Sequence, residues 1–431
     1  MISESVGVNA NGNLTIGGAD CVELAKKFGT PLYVFDESLI RKTCREFKSS
    51  IDEFYGGNGL VLYASKAFSC KEMYRIVQSE GCGCDVVSGG ELYTALSAGF
   101  KAENIFFHGN NKTPDEIEYA LKSGVGRIVA DNITELGNIQ KIAENLGITA
   151  HIVLRIKPGI DAHTHAYIST GQIDSKFGFA LENGEAFMAV EKALEYKNIE
   201  LHGFHCHIAS QVCETRPFQE AAEVMLQFMS DVRERFNITV TELDLGGGFG
   251  VKYLETDGQI PFSEYMKNTS VALKNKAEAL NFPVPKIFIE PGRSMVAPAG
   301  LTLYTVGNVK TIENVRTYVS IDGGMGDNPR YALYQADYTV EIANKANEPK
   351  DFVATVAGKC CESGDLIQEH APMQNPEAGD IMAVLNTGAY CYSMASNYNR
   401  IPRAAVVMVK DGEPRVIVKR ETYEDIIKND I

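Results

Sequence analysis

The chain has 431 residues, of which 45% are hydrophobic, so it can bury a large core and is long enough for two domains. Its 41 basic and 56 acidic residues give a net charge of −15 without a basic stripe, which argues against nucleic acid or an anionic membrane as a partner. No signal-peptide pattern is present, and no apolar run approaches the roughly 20 residues of a membrane helix. We therefore expect a cytoplasmic protein whose ten cysteines are reduced.

The first extended segments of the chain are LTIGG, residues 14–18, and PLYVFD, residues 31–36. Both resemble the short alternating runs found near the C-terminus. We therefore expect residues 1–37 to join the C-terminal region in one discontinuous domain.

From residue 60 onward, apolar runs alternate with helix-like segments such as residues 133–146 and 217–235. Eight of the runs end in a polar or glycine-rich tip: YASKAF, CDVVSGGE, IFFHGN, RIVADN, HIVLRIKPG, FHCHIASQ, ELDLGGGFG and KIFIEPGR. Parallel strands need a helix-length return between them. Eight such units predict an α/β fold, a (β/α)8 TIM-type barrel, which typically takes about 250 residues. We assign residues 38–297 to it.

The C-terminal ends of the strands form the active face of such a barrel. The polar residues expected to converge there are Lys66, Asp85, His108, Arg155, His207, Asp244 and Glu290. A lysine that follows a strand is, by residue type alone, usually a solvated side chain. The case for a reactive Lys66 therefore depends on its predicted neighbours.

Two loops at this face are suited to anions. Backbone N–H groups of residues without side chains can approach an anion closely, and barrels of this type often bind phosphate after strands seven and eight. The glycines after the seventh strand are Gly246, Gly247 and Gly248. The eighth strand ends in Glu290, Pro291, Gly292 and Arg293, which adds a guanidinium.

A lysine, a phosphate site and a carboxylate at one barrel mouth suit pyridoxal 5'-phosphate (PLP). The lysine can form an imine, and a carboxylate such as Glu290 keeps the pyridine nitrogen protonated so that the ring accepts electrons. For His205 and His207 we weigh a metal site, a packing role and stacking on the cofactor ring. Two histidines do not make a zinc site, so we predict stacking and no metal. His163 and His165 are expected to be loop residues.

After residue 298 the pattern changes to short alternating runs that predict antiparallel strands, with Asp411-Gly412 as a hairpin turn. The runs are LTLYTVGNVKTIE, TYVSIDGG, DYTVEIAN, DFVATVAG, DIMAVLN, RAAVVMVKDG and PRVIVKR. We therefore expect a C-terminal antiparallel β-domain, residues 298–431, completed by N-terminal strands from residues 1–37.

Nine segments match one family in order and in spacing: YASKAF, CDVVSGGEL, SKFGF, HCHIASQ, GGGFG, EPGR, DNPRYALY, CCESGD and GAYCYSMASNYN. Together they resemble the diaminopimelate decarboxylases, which have the alanine-racemase-like PLP fold. The resemblance runs from Pro31 to about Arg403. It is specific because several long motifs agree at once.

The resemblance implies a role for each cofactor-binding residue. Lys66 would be the Schiff-base lysine, His207 would stack on the ring, and Glu290 would pair with the pyridinium nitrogen. The other residues it implies near the cofactor are Ser210, Gly246, Gly247, Gly248, Pro291, Gly292 and Arg293. Among these, Ser210 and the glycines would contact the phosphate, and Arg293 would serve the phosphate region or the substrate.

The resemblance also implies how substrate is bound. Arg330 and Tyr334 of PRYALY would hold the distal carboxylate, and Tyr390 would approach both cofactor and substrate. Cys361 and Glu362 would come from a second subunit, the cysteine as proton donor and the glutamate gripping the distal ammonium. A homodimer with shared active sites follows from this.

Two residues depart from the family pattern. Ala209 stands where the family usually has glycine, and Tyr331 replaces a common proline. The added methyl group of Ala209 could tighten the loop near the phosphate. Neither change removes a reactive group.

The implied function is PLP-dependent decarboxylation of meso-2,6-diaminopimelate to L-lysine and carbon dioxide, the final step of lysine biosynthesis. The alternative is a decarboxylase of ornithine, arginine or lysine, but these substrates have no distal carboxylate and need no residue like Arg330. An alanine-racemase-type enzyme would need a tyrosine acid/base opposite Lys66. A non-catalytic PLP-binding protein commonly stops at the barrel, and the presence of Lys66, Cys361 and Glu362 opposes an inactive regulatory homologue.

Overall fold

The computed structural model describes residues 2–160 and 175–431, so His163 and His165 lie outside the described residues. The chain forms two compact units. One, here called the barrel unit, comprises Thr43–Gly250 and Gln259–Gly292. The other, the sheet unit, comprises Met1–Lys42, Val251–Gly258 and Arg293–Ile431.

Eight parallel strands of the barrel unit close into a barrel. In chain order they are Gly59–Ala64, Gly83–Val86, Ile105–Phe107, Arg127–Ala130, Ala150–Lys157, Ile199–His205, Glu242–Asp244 and Lys286–Ile289. Each strand pairs in parallel with the next, and the eighth pairs with the first. A short extra strand, Phe179–Ala180, pairs with the fifth. The predicted (β/α)8 barrel is confirmed.

Helices connect the strands. They are Glu37–Tyr55, Lys71–Ser79, Gly89–Ser97, Pro114–Ser123, Ile133–Leu146, Glu185–Glu195, Arg216–Phe236 and Phe262–Ala279. Local sequence sets their ends. The helix Pro114–Ser123 begins after a capping box between Thr113 and Glu116 and ends at Gly124, whose φ of 72° is left-handed. Within the described residues, no helix is long and apolar enough to cross a membrane.

The sheet unit holds a small antiparallel sheet and a nine-stranded sheet. The strands of the small sheet are Val6–Val8, Leu14–Ile16 and Ala19–Asp20. The large sheet consists of Leu32–Asp36, Gly300–Ile312, Arg316–Ile321, Val340–Ile342, Phe352–Ala357, Leu366–Met373, Ile381–Leu385, Ala405–Lys410 and Glu413–Val418. The helices of this unit are Cys21–Phe28, Arg293–Val296, Arg330–Tyr334 and Tyr423–Ile427.

The N-terminal strand Leu32–Asp36 lies inside the large sheet and is buried along its whole length. It pairs with Gly300–Ile312 on one side and with Ala405–Lys410 on the other. The core beneath it includes Leu14 and Leu303, one from each end of the chain. Burial of this shared apolar surface explains why the two ends of the chain form one unit.

The sheet differs from the expected antiparallel pattern in three respects. The strand Leu32–Asp36 pairs in parallel with Ala405–Lys410, and a second parallel pair exists elsewhere in the sheet. The segment LTIGG, residues 14–18, contributes its strand to the small sheet and not to the large one. The strand Leu366–Met373 was not predicted, because its sequence LIQEHAPM is polar and contains a proline, which its edge position tolerates. The predicted Asp411-Gly412 turn is confirmed, since both residues have positive φ between paired strands.

Candidate active site

Lys66 lies in a short turn, Ser65–Ala67, immediately after the first barrel strand, and it is exposed to solvent. The backbone N–H of Ser65 donates to Asp85 Oδ1 at 3.3 Å, which ties this turn to the second strand. The eighth-strand loop also packs on this turn. A Cβ added at Gly292 would lie 2.7 Å from the Cβ of Ala64, so only glycine fits there. These contacts fix the backbone that presents the Lys66 amine at the barrel mouth.

Glu290 follows the eighth strand and is buried. Its Oε2 accepts a hydrogen bond from His205 Nε2 at 3.2 Å, and its Oε1 lies 2.5 Å from His108 Nε2. The two imidazole rings meet edge to face, with centroids 4.7 Å apart. The carboxylate is therefore flanked by two histidines, His108 immediately after the third strand and His205 at the end of the sixth.

This arrangement keeps Glu290 ionised. Burial alone would raise its pKa, but the contacts with His108 and His205 bring the pKa well below its usual range. Burial lowers the pKa of His205 to about 4 and also lowers that of His108. At neutral pH both imidazoles are uncharged donors, so they stabilise the carboxylate without cancelling its charge.

Two other carboxyl groups share the same interior. Burial, followed by the charge of Glu290, raises the pKa of both Asp85 and Asp244 well above the usual range. Glu290 is therefore the carboxyl group of this cluster whose ionised form is favoured, whereas burial and the Glu290 charge disfavour ionisation of the two aspartates. The ligand atoms of His108, His205, Asp244 and Glu290 all lie within 4.8 Å of one another, which is close enough for a metal ion. Because His108 and His205 already contact the Glu290 carboxylate, we assign these two histidines to positioning that group.

The three glycines after the seventh strand are required by close packing. Gly246 has a φ of 67°, and a Cβ on Gly247 would come within 2.0 Å of the Glu290 carbonyl oxygen. The Gly246 N–H donates to Asp244 Oδ1 at 2.8 Å, and the Gly247 N–H donates to His207 Nδ1 at 3.3 Å. An anion bound at this loop would compete with these two acceptors or use the N–H of Gly248.

His207 is half-buried and uncharged. Burial and the nearby Lys66 cation bring its pKa well below the usual value. Because its Nδ1 accepts the Gly247 N–H, the ring carries its proton on Nε2. The hydrogen bond fixes the ring orientation, as a stacking role requires. Ser210 follows in the same loop.

The sheet unit brings together the predicted Arg293, Arg330 and Tyr390. The guanidinium carbons of the two arginines lie 4.9 Å and 5.6 Å from the centroid of the Tyr390 ring. Arg330 also lies 5.4 Å from the ring of Tyr334. Tyr390 itself has a φ of 65°, a left-handed conformation that is uncommon for a bulky side chain. Two cations around one strained tyrosine indicate a site for an anionic group.

Arg330 is the stronger anion-binding candidate of the two. It is buried, and in the part of the chain that the structure describes no carboxylate lies within ion-pair distance of it. A buried charge is costly unless it is paired. The site thus has a positive charge suited to a bound carboxylate.

Cys361 and Glu362 are not part of this cluster. Both are exposed, and the backbone N–H of Cys361 donates to Asn399 Oδ1 at 2.7 Å. Among the described residues, neither side chain forms a hydrogen bond or an ion pair with Arg330 or Tyr390.

The sequence interpretation missed three residues of the arginine cluster. They are Tyr253, Tyr338 and Cys391. The hydroxyl of Tyr253 accepts a hydrogen bond from Arg293 Nη1 at 2.9 Å, and the hydroxyl oxygen of Tyr338 lies 3.6 Å from Cys391 Sγ. A signal existed for two of them, because Tyr253 shortly follows GGGFG and Cys391 lies within GAYCY. Tyr338 lies in the predicted strand DYTVEIAN, and nothing in that pattern distinguishes it as a site residue.

The departures from the family pattern are accommodated locally. The hydroxyl of Tyr331 donates to Glu369 Oε2 at 2.6 Å, and Glu369 also pairs with Arg316 at 2.6 Å. Ala209 is fully buried, and its carbonyl oxygen would lie 2.3 Å from a Cβ on Gly248. The loop therefore packs tightly around this alanine.

Comparison with known proteins places this chain in a family. The family model described as "Pyridoxal-dependent decarboxylase, pyridoxal binding domain" matches residues 37–297. The diaminopimelate decarboxylase of Bacillus subtilis is 49% identical over 423 residues, which cover 98% of this chain and 96% of that protein. The enzyme of the same name from Halalkalibacterium halodurans is 50% identical over 425 residues, which cover 98% and 96%.

A solved structure supports the same assignment. The diaminopimelate decarboxylase from M. jannaschii, in co-complex with L-lysine, has a TM-score of 0.90 and 35% sequence identity, and the match covers 100% of this chain and 98% of that one. Identity at this level over the whole length extends beyond the barrel to the sheet unit. The chain therefore belongs to the diaminopimelate decarboxylase family of pyridoxal-dependent decarboxylases.

Proposed function

We propose that this chain uses PLP to decarboxylate meso-2,6-diaminopimelate to L-lysine and carbon dioxide, the final step of lysine biosynthesis. The observation that carries the choice of substrate is the buried Arg330, which has no acidic partner among the described residues. Diaminopimelate differs from lysine, ornithine and arginine by its second carboxylate. A buried guanidinium matches that group in charge and in geometry.

The residues of the barrel unit fit PLP. We propose residues 38–297 as the PLP-binding domain, a range close to the span of the family match. Lys66 would hold the cofactor covalently, His207 would stack on its ring, and Glu290 would face the ring nitrogen. The loops proposed to surround its phosphate contain Ser210, Gly246, Gly247, Gly248, Pro291, Gly292 and Arg293. When bound, PLP supplies an electron sink for the charge left by the departing carboxylate.

The protein residues contribute orientation and proton control. Glu290, kept anionic by His108 and His205, would hold a proton on the ring nitrogen. Arg330 and Tyr334 would fix the distal carboxylate and so orient the carboxylate that leaves. Tyr390 would contact both cofactor and substrate.

We also propose a homodimer in which each active site receives Cys361 and Glu362 from the partner chain. The exposure of both side chains supports this, because neither is committed to the interior of its own chain. The Cys361 thiol would then deliver a proton to the carbon that lost carbon dioxide. Glu362 would bind the distal ammonium group.

One assay tests this function against its alternative. The purified protein is incubated with PLP and, separately, with meso-diaminopimelate, lysine, ornithine and arginine, and release of carbon dioxide is followed. We expect release from diaminopimelate alone. Preferred release from one of the other three would assign a different basic amino acid, and no release from any would favour a non-catalytic PLP-binding protein.

The Arg330→Ala variant is expected to raise the KM for diaminopimelate by about ten- to a hundred-fold, because a buried charge-assisted contact is worth roughly 1.5–3 kcal/mol. Its affinity for PLP should stay near that of the wild type. Arg330→Lys is the matched comparison, because it keeps the positive charge but loses the planar guanidinium that can donate two parallel hydrogen bonds. Its KM should lie between those of the wild type and Arg330→Ala. Equal losses in PLP affinity and in KM would argue for a structural role.

Mixing subunits tests the shared site. Lys66→Ala and Cys361→Ala homodimers should each be inactive, but a mixed dimer contains one site with both residues intact. Activity should therefore appear when the two variants are unfolded together and refolded. Absence of rescue, under conditions where wild-type chains recover activity, would contradict the proposal that Cys361 acts in the partner's site.

A further inference from the structure

A second cluster of potential ligands lies on the fifth and sixth barrel strands, near their N-terminal ends and away from Lys66. His151 is the second residue of the fifth strand, and Glu200 and His202 lie near the start of the sixth. Glu200 is the register partner of His151. All three side chains have solvent access, with 45%, 55% and 19% exposure for His151, Glu200 and His202.

The pairing of the two strands is irregular at His202. Leu201 pairs with Ile152 and Gly203 pairs with Val153, so His202 is an extra residue in a β-bulge. Bulges re-aim side chains, and this one places the His202 ring 5.0 Å from that of His151. Gly203 permits the distortion, because a Cβ there would lie within 2 Å of the Glu242 carbonyl oxygen.

The three polar atoms form a compact triangle. His151 Nδ1 lies 2.9 Å from His202 Nε2. Glu200 places one oxygen 3.3 Å from His151 Nδ1 and the other 3.5 Å from His202 Nε2. Zinc bonds of about 2.0–2.1 Å in a tetrahedral site put neighbouring ligand atoms about 3.3 Å apart. The observed separations are close to that value.

The charges around the cluster also suit a cation. Glu200 contributes a carboxylate to the cluster, and Arg127 is a nearby basic side chain. Arg127 is itself neutralised by two hydrogen bonds to Glu242, of 2.8 Å and 2.6 Å. The local field is therefore not dominated by that guanidinium.

We propose that His151, Glu200 and His202 bind a divalent transition metal of the zinc class at the N-terminal end of the barrel strands. The ligand set is two imidazoles and one carboxylate, which suits zinc better than calcium or magnesium. Water would complete the coordination at the exposed side. The bound ion would link the fifth and sixth strands and would take no part in the decarboxylation.

Calorimetry tests this proposal. Holoenzyme without a purification tag is treated with a chelator, dialysed and titrated with Zn²⁺, and Mg²⁺ serves as the control ion. We expect a zinc site that is weakened at least about tenfold in both His151→Ala and Glu200→Gln, since each removes one of three ligands. Zinc should raise the thermal unfolding midpoint of the wild type more than that of either variant. The matched control is His370→Ala, which removes an exposed histidine elsewhere and should bind zinc like the wild type.

The outcomes separate the possibilities. Zinc held elsewhere, for example by the buried group around Glu290, would remain in His151→Ala. Decarboxylase activity should be unchanged in both variants, which also shows that they fold. Equal zinc affinity in wild type and variants, or no zinc binding at micromolar concentrations, would overturn the proposal and leave the 2.9 Å contact as a hydrogen bond between two imidazoles.

Discussion

The Lys66→Ala variant is expected to lose both its covalent link to PLP and all measurable turnover. Lys66 is held at the barrel mouth by a turn that is anchored to Asp85 and packed against Gly292. Alanine preserves this backbone and removes only the amine. Under the proposed function the amine is the group that links cofactor to protein, so alanine leaves nothing that could form the link.

Borohydride reduction followed by peptide mass spectrometry measures the link directly. The wild type should carry the cofactor on the peptide that contains Lys66, and the variant should carry none. Lys71→Ala, which removes an exposed lysine from the start of the next helix, is the matched control and should keep both the link and the activity. A labelled peptide in Lys66→Ala, or retained turnover, would assign the cofactor to a different lysine.

The position of Lys66 in the fold could be predicted because strand periodicity and turn chemistry are local. Each of the eight barrel strands lies within an apolar run that ends in glycine or a polar residue, and the (β/α)8 arrangement then follows from parallel pairing. The end of a strand defines the active face. Lys66 and Glu290 could therefore be placed at that face from sequence.

Of the two histidines that contact Glu290, sequence placed only His108 at the same face of the barrel and predicted contact for neither. Sequence gives no reason for His108 and His205 to contact the carboxylate instead of each facing solvent. The contact depends on the barrel radius and on which side chains point inward, both of which are tertiary properties. Its electrostatic consequence, a lowered pKa for Glu290 beside raised pKa values for Asp85 and Asp244, could accordingly not be predicted from sequence.

The sheet unit shows the same limit. Alternating runs predicted most of its strands but not their partners, and the strand Leu32–Asp36 lies between segments from the other end of the chain. The contact between Arg293 and Tyr253 likewise joins residues far apart in sequence. The family resemblance identified Arg330 and Tyr390 as site residues. The periodicity of the sequence alone could not have indicated that the two belong to one cluster.

The Glu290→Gln variant should retain PLP on Lys66 but lose catalysis by at least about a hundredfold in kcat, the cost typical of removing one preorganised electrostatic partner. The amide has the shape of the carboxylate but no charge to hold a proton on the ring nitrogen. One of its ends would also place N–H groups toward His108 or His205, both of which are donors in the wild type. Stability should therefore fall as well, by about 1–3 kcal/mol.

Asp244→Asn is the matched control for that experiment. Asp244 lies in the same buried cluster, but burial and the Glu290 charge raise its pKa, so asparagine changes the charge of the cluster less than Glu290→Gln does and can still accept the Gly246 N–H. Steady-state kinetics and urea unfolding of both variants separate charge from packing, because the pKa of Glu290 is lowered and that of Asp244 is raised. We expect kcat of Asp244→Asn to stay close to that of the wild type. Equal losses in the two variants would show that the cluster needs intact packing only, and that Glu290 is not the anion that supports catalysis.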